Sequence, residues 1–172
     1  HATIQCPCET TAQLSGRYPL RNRQLQCTIR TSDVALNAIA PWVRERLPSE
    51  LHEAVVRLDL RLAWSPQAPP QLTGRIDARH VVWETPTLRA SGDVTLEGGA
   101  TPPADGQGPW AIRALILLRD GTVAGVPLVS TISRLEGTLR LTEQRLEIEE
   151  LIGQSLDSPW RAEGTVTFLT PP

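Results

Sequence analysis

The chain has no lysine and no methionine, one phenylalanine, one tyrosine and three cysteines among its 172 residues. All seventeen basic side chains are therefore arginines. Without lysine there is no partner for a phosphate-cradling glycine loop. A formal charge of −2 and a pI near 5.9 lack the basic excess that draws proteins onto nucleic acid or anionic headgroups. The longest apolar run, 114–118, is far below the roughly 20 residues of a membrane span. A chain without an initiator methionine is expected to be a processed or excised piece of something longer, with residues 1–172 forming one domain.

Cys6, Cys8 and Cys27 all lie near the start, too few for a disulfide scaffold and without histidine at zinc-ligand spacing. Two readings stay open: one disulfide from Cys6 or Cys8 to Cys27 in an oxidising compartment, or buried free thiols. The odd count leaves at least one thiol without a partner inside the chain.

What is present is a period of two. In Val56-Arg57-Leu58-Asp59-Leu60-Arg61-Leu62-Ala63-Trp64 every even position is apolar and three of the four odd ones are charged, which makes a strand with one dry face. The alternation recurs in 88–96, 135–141, 146–149 and 160–168. The Arg119-Asp120-Gly121-Thr122 step reads as a hairpin turn joining strands 111–118 and 122–131. Ser32 or Asp33 is placed to cap a helical segment, and Pro41 divides it into two short helices over 34–39 and 41–47. Residues 97–109, rich in Gly and Pro, read as an exposed loop, and the three prolines of 65–70 as a stiff one. The fold class expected is mainly β, a curved antiparallel sheet (a β-groove, or taco-like) with one or two short helices near 34–47.

Repeats carry the most information. Gln13-Leu14-Ser15-Gly16-Arg17-Tyr18, Gln71-Leu72-Thr73-Gly74-Arg75-Ile76 and Arg134-Leu135-Glu136-Gly137-Thr138-Leu139 share Leu-x-Gly, their leucines 58 and 63 positions apart. A closing half-unit repeats as well: Leu88-Arg89-Ala90-Ser91-Gly92-Asp93-Val94-Thr95-Leu96 aligns position for position with Trp160-Arg161-Ala162-Glu163-Gly164-Thr165-Val166-Thr167-Phe168. Glycine facing inward in a strand admits a neighbouring backbone, so both Gly92 and Gly164 are expected at crowded bends.

Chemistry is sparse. None of His1, His52 and His80 has Cys, Asp or Glu at ligand spacing, and His80 reads as a solvated or edge-strand side chain. Gly153-Gln154-Ser155-Leu156-Asp157 lacks the second glycine of a nucleophile elbow and has no histidine after it. Glu147, Glu149 and Glu150 read as the wet face of a strand. The five tryptophans are not interleaved with basic residues as a nucleic-acid stacking platform needs. No catalytic residue, metal or cofactor is expected.

On Gln71-Leu72-Thr73-Gly74-Arg75-Ile76-Asp77-Ala78, Ser133-Arg134-Leu135-Glu136-Gly137-Thr138-Leu139-Arg140-Leu141 and Trp160-Arg161-Ala162-Glu163-Gly164-Thr165-Val166, the chain resembles the AsmA-like superfamily, which includes AsmA, TamB and the type II secretion system protein N. The resemblance covers about residues 54–168 and implies a curved periplasmic β-sheet in a Gram-negative envelope, tethered to the inner membrane by a segment this sequence lacks. It implies no catalytic residues, and the region before Ala54 matches no motif of the superfamily.

Two functional expectations follow. In the first, Leu58, Leu60, Leu62, Leu72, Ile76, Leu88, Val94, Leu96, Leu139 and Val166 line an open trough that shields lipid acyl chains or nascent outer-membrane polypeptide. In the second, the same residues form the core of a structural subunit of the type II secretion system, whose edge strands pair with other envelope proteins. An enzyme or a sugar-binding module ranks behind both.

Overall fold

Alternating apolar and polar residues satisfy both a dry and a wet surface only when the strand is extended, and the computed structural model follows that rule over most of its length. It describes residues 2–5, 11–19, 24–38, 44–45, 47–103, 110–125, 131–156 and 158–168. Eleven strands form one antiparallel sheet: β1 (Ala2–Gln5), β2 (Thr11–Arg17), β3 (Leu25–Thr31), β4 (Val34–Ala35), β5 (Leu51–Ser65), β6 (Ala68–Glu84), β7 (Arg89–Thr101), β8 (Ala111–Ala124), β9 (Ile132–Leu141), β10 (Arg145–Ser155) and β11 (Ser158–Thr167). Ten stand in the order β1-β2-β3-β5-β6-β7-β8-β9-β10-β11, and β4 pairs beside them with β5. Among the described residues the order never returns on itself, so β1 and β11 are the outermost strands rather than barrel neighbours.

The 34–39 helix does not form. Val34 and Ala35 pair with Val56 and Val55 of β5, and only Leu36–Ala38 turns, as a 3₁₀ segment. The reason is tertiary. β3 covers β5 only from Asp59 to Trp64, and β4 takes up the next stretch of that edge. Asp33 caps nothing; its carboxylate accepts from Arg57 Nε at 2.9 Å and pairs with Arg79. Most of the 41–47 helix lies outside the described residues; within it Leu47 N donates to Arg44 O at 3.1 Å.

Three loop boundaries move for similar reasons. Glu97 to Thr101 belong to β7, because each finds a partner on β8, so the connection begins only at Pro102. The three-proline segment shrinks to a Pro66-Gln67 turn between Ser65 and its partner Ala68. Pro69 and Pro70 enter β6 where β7 has not yet joined it, so the side that faces β7 needs no donor there. At Asp120-Gly121 the chain does not reverse: Ala111–Ala124 is one strand, and Thr122 to Ala124 continue pairing with Ser91 to Arg89.

Asp120-Gly121 is instead one step of a line of bulges. His80 (φ 52°), Asp120 (φ 50°) and Arg134 (φ 51°) have left-handed backbones, and Gly92 has φ 148°. The register slips beside each, between Ala78 and Val81, Ser91 and Asp93, Leu118 and Gly121, and Ile152 and Gln154. Since Val81 pairs with Gly92 and Gly121 with Leu135, the bulges run side by side across β6 to β9. A bulge bends its strand, so a row of them creases the sheet. Among the described residues the buried hydrophobics are Leu36, Ala54, Ile132 and Leu135, and the last two lie beside this crease.

Candidate functional site

Directly paired residues share a face, so the registers of successive strand pairs can be read as rungs across the sheet. One rung is Leu58, Ile76, Leu96, Ile116, Leu139, Ile148 and Gly164, from β5 to β11. Its neighbour on one side passes through Leu60, Gly74, Gly98, Ala114, Leu141, Leu146 and Val166. On the other side run Val56, Ala78, Val94, Leu118, Gly137, Leu151 and Ala162. A fourth joins Leu62, Leu72, Ala100 and Ile112. Across these strands none of the four carries a polar side chain.

Nine of the ten residues assigned to this face from sequence stand on it together. Leu88 stands apart, in the Thr85 to Leu88 turn between β6 and β7, where its carbonyl accepts from Thr85 N at 2.8 Å. The candidate disulfide involves residues outside the described set, Cys6 and Cys8; Cys27 is a free, half-buried thiol on β3 opposite Leu62.

Among the described residues no second layer covers the face. Leu58, Leu60, Leu72, Ile76, Leu96, Ile116 and Leu139 are half-buried rather than buried, and Leu14, Ile29 and Val166 at its margins are 40%, 36% and 49% exposed. The chain exposes 12283 Å², against about 8,300 Å² for a compact monomer of 18.9 kDa. Strands about 4.8 Å apart and side-chain rungs about 6.8 Å apart give the three rungs from β5 to β11 and the fourth from β5 to β8 an extent on the order of 500 Å². That reaches the largest apolar patches ordinary soluble monomers carry, before β2 and β3 are added.

The face is not flat. Gly74, Gly98 and Ala114 make one rung low between two tall ones, and the resulting depression, about 170 Å³, is bounded by Leu60, Leu72, Ile76, Leu96 and Ile112. This is where Leu-x-Gly acts: a Cβ on Gly74 would meet Asp59 O at 2.2 Å, and one on Gly137 would meet Glu150 O at 2.3 Å. In these two of the three repeats the glycine admits the neighbouring strand's carbonyl, and a Cβ on Gly16 in the remaining one would meet Gln26 O at 3.3 Å. The two closing glycines differ. A Cβ on Gly92 would lie 2.8 Å from Gly121 Cα, whereas Gly164 has nothing within 4 Å, β11 having no described strand on its outer side.

The opposite face is charged in alternation. Arg30, Asp59, Arg75 and Glu97 form one rung across β3 to β7, and Arg30 Nε donates to Asp59 Oδ2 at 3.1 Å. Arg75 clamps Asp77 through Nε and Nη2 at 2.8–3.0 Å. That hydrogen-bonded guanidinium holds the Asp77 carboxyl below the usual carboxylate range, with Thr95 Oγ1 donating at 2.8 Å as a lesser contribution. Such pairs keep this face in water and bias the sheet against inversion. His80 N donates to Asp93 Oδ1 across the bulge. Among the described residues no group of three His, Cys, Asp or Glu side chains is placed to hold a metal ion, and no helix is long and apolar enough to cross a membrane.

No protein-family model, no curated protein and no solved structure matches the chain.

Proposed function

We propose that this chain is the periplasmic part of a non-enzymatic, AsmA-like envelope protein, anchored in the inner membrane of a Gram-negative bacterium, whose open apolar face shields lipid acyl chains in transit. The observation that supports this most is the four-rung apolar face with no layer of described residues upon it. Its backbone N–H and C=O groups are already engaged in the strand ladders, so the face offers contact without hydrogen bonds. An acyl chain needs nothing else, whereas a nascent polypeptide strand would leave its own backbone polar groups unsatisfied there.

The test is native mass spectrometry of protein purified from bacterial membranes or periplasm, followed by organic extraction. Stoichiometric phospholipid or lipopolysaccharide is expected; protein that is lipid-free from every preparation overturns the reading. The alternative, a structural subunit of the type II secretion system, is favoured by a different observation, the unpaired edge of β11, and predicts capture of envelope proteins without lipid.

A further inference from the structure

We propose that β11 is a self-pairing edge: two copies of the chain join their β11 strands antiparallel, Ala162 opposite Ala162, into one continuous sheet. Among the described residues β11 pairs only with β10, so one side of a ten-residue strand presents backbone groups that no described strand pairs. Pro159 removes one donor near its start and leaves 160–167 uninterrupted.

The register follows from the side chains. With Ala162 at the centre, Arg161 of each copy lies opposite Glu163 of the other, twice by symmetry. Both side chains stand on the polar face, 64% and 54% exposed, and among the described residues of one chain they pair only with each other and with Glu150. On the apolar face the same register sets Trp160 opposite Gly164, the glycine with open space around it. An aromatic ring across from a strand glycine covers the backbone that glycine leaves bare. Centring on Arg161 or on Glu163 instead would set like charges against each other, and a shift by a single residue would bring polar side chains against apolar ones.

Antiparallel neighbours in one sheet are related by an axis perpendicular to it, so the apolar faces of both copies lie on the same side. The trough then runs unbroken through both chains, and Val166, 49% exposed in one chain, comes to lie opposite Ser158 of the second copy instead of water. A two-fold contact also closes, whereas joining β11 to the β1 edge of the next copy would propagate into a filament.

Sedimentation equilibrium tests this with charge reversal. The unaltered chain should dimerise; Arg161→Glu alone and Glu163→Arg alone should each weaken the dimer roughly tenfold or more, because two attractive pairs become repulsive. Mixing the two variants should restore a heterodimer, since every acid then faces an arginine. A role confined to the intrachain pair would gain nothing from mixing. In a background with Cys6, Cys8 and Cys27 changed to Ser, Ala162→Cys should also oxidise to a covalent dimer, as directly opposed strand residues lie about 4.5–5.5 Å apart at Cα. A chain that stays monomeric at millimolar concentration, an association indifferent to both reversals, or the absence of that cross-link overturns the proposal.

Discussion

Gly92 and Gly164 occupy the same position in two matching nine-residue segments, yet Ala substitution should have opposite effects at the two sites. At Gly92 the φ of 148° is a region L-residues rarely adopt, and the new methyl would sit 2.8 Å from Gly121 Cα and 3.1 Å from Arg119 O. Backbone strain of about 1–3 kcal/mol and overpacking of similar size combine to roughly 2–4 kcal/mol once the strands have partly separated. For a chain of this length that lowers the melting temperature by roughly 5–15 °C. At Gly164 nothing lies within 4 Å, and replacing a strand glycine stiffens the unfolded chain, a gain of about 0.5–1 kcal/mol. Thermal unfolding followed by far-ultraviolet circular dichroism, with urea titration as a second measure, separates the two. Equal melting temperatures for Gly92→Ala and Gly164→Ala, or greater damage at Gly164, would refute the assignment of the crease to β7 and of the free edge to β11.

Arg134→Gly should raise stability by about 0.5 kcal/mol, since the left-handed penalty it removes slightly exceeds the entropy glycine adds to the unfolded state; a lower melting point contradicts that. Asp77 has a folded-state pKa below its unfolded value, so its contribution is fully present above the unfolded pKa and disappears as pH falls through the folded one. Asp77→Asn should therefore cost less than about 1 kcal/mol at neutral pH, the side chain being partly exposed, and nothing at strongly acidic pH; a difference from wild type that grows on acidification sinks the argument. Leu96→Asp, in the middle of the tallest rung, should reduce co-purifying lipid roughly tenfold by placing a charge against the acyl chain. Unchanged lipid content with an intact strand signal would locate the lipid elsewhere.

The dry face was readable before any coordinates, because period-two alternation is a property of consecutive residues. Leu58, Leu60 and Leu62 must share a side if 56–64 is extended, and the registers add Leu72, Ile76, Val94, Leu96, Leu139 and Val166 to the same side. Leu-x-Gly was also visible, though not its meaning, since the carbonyl that Gly74 admits belongs to Asp59 on another strand. Errors fell where a local signal competed with a distant partner. Ser32-Asp33 looks like a helix cap in isolation, yet Val34 and Ala35 meet the open edge of β5. Asp120-Gly121 tolerates a positive φ in a turn and in a bulge alike, and only the pairing of Thr122 with Ser91 decides between them.

What the sequence determined by itself is therefore the strand content and the two-faced character of each strand, both of which depend on residues close together in the chain. What only the tertiary structure decided is which strand neighbours which, the line of bulges from His80 to Arg134, and the state of the apolar face. An apolar face reads identically in sequence whether a second layer lies on it or not. Its openness depends on the sheet folding, among the described residues, without such a layer and without closing into a barrel.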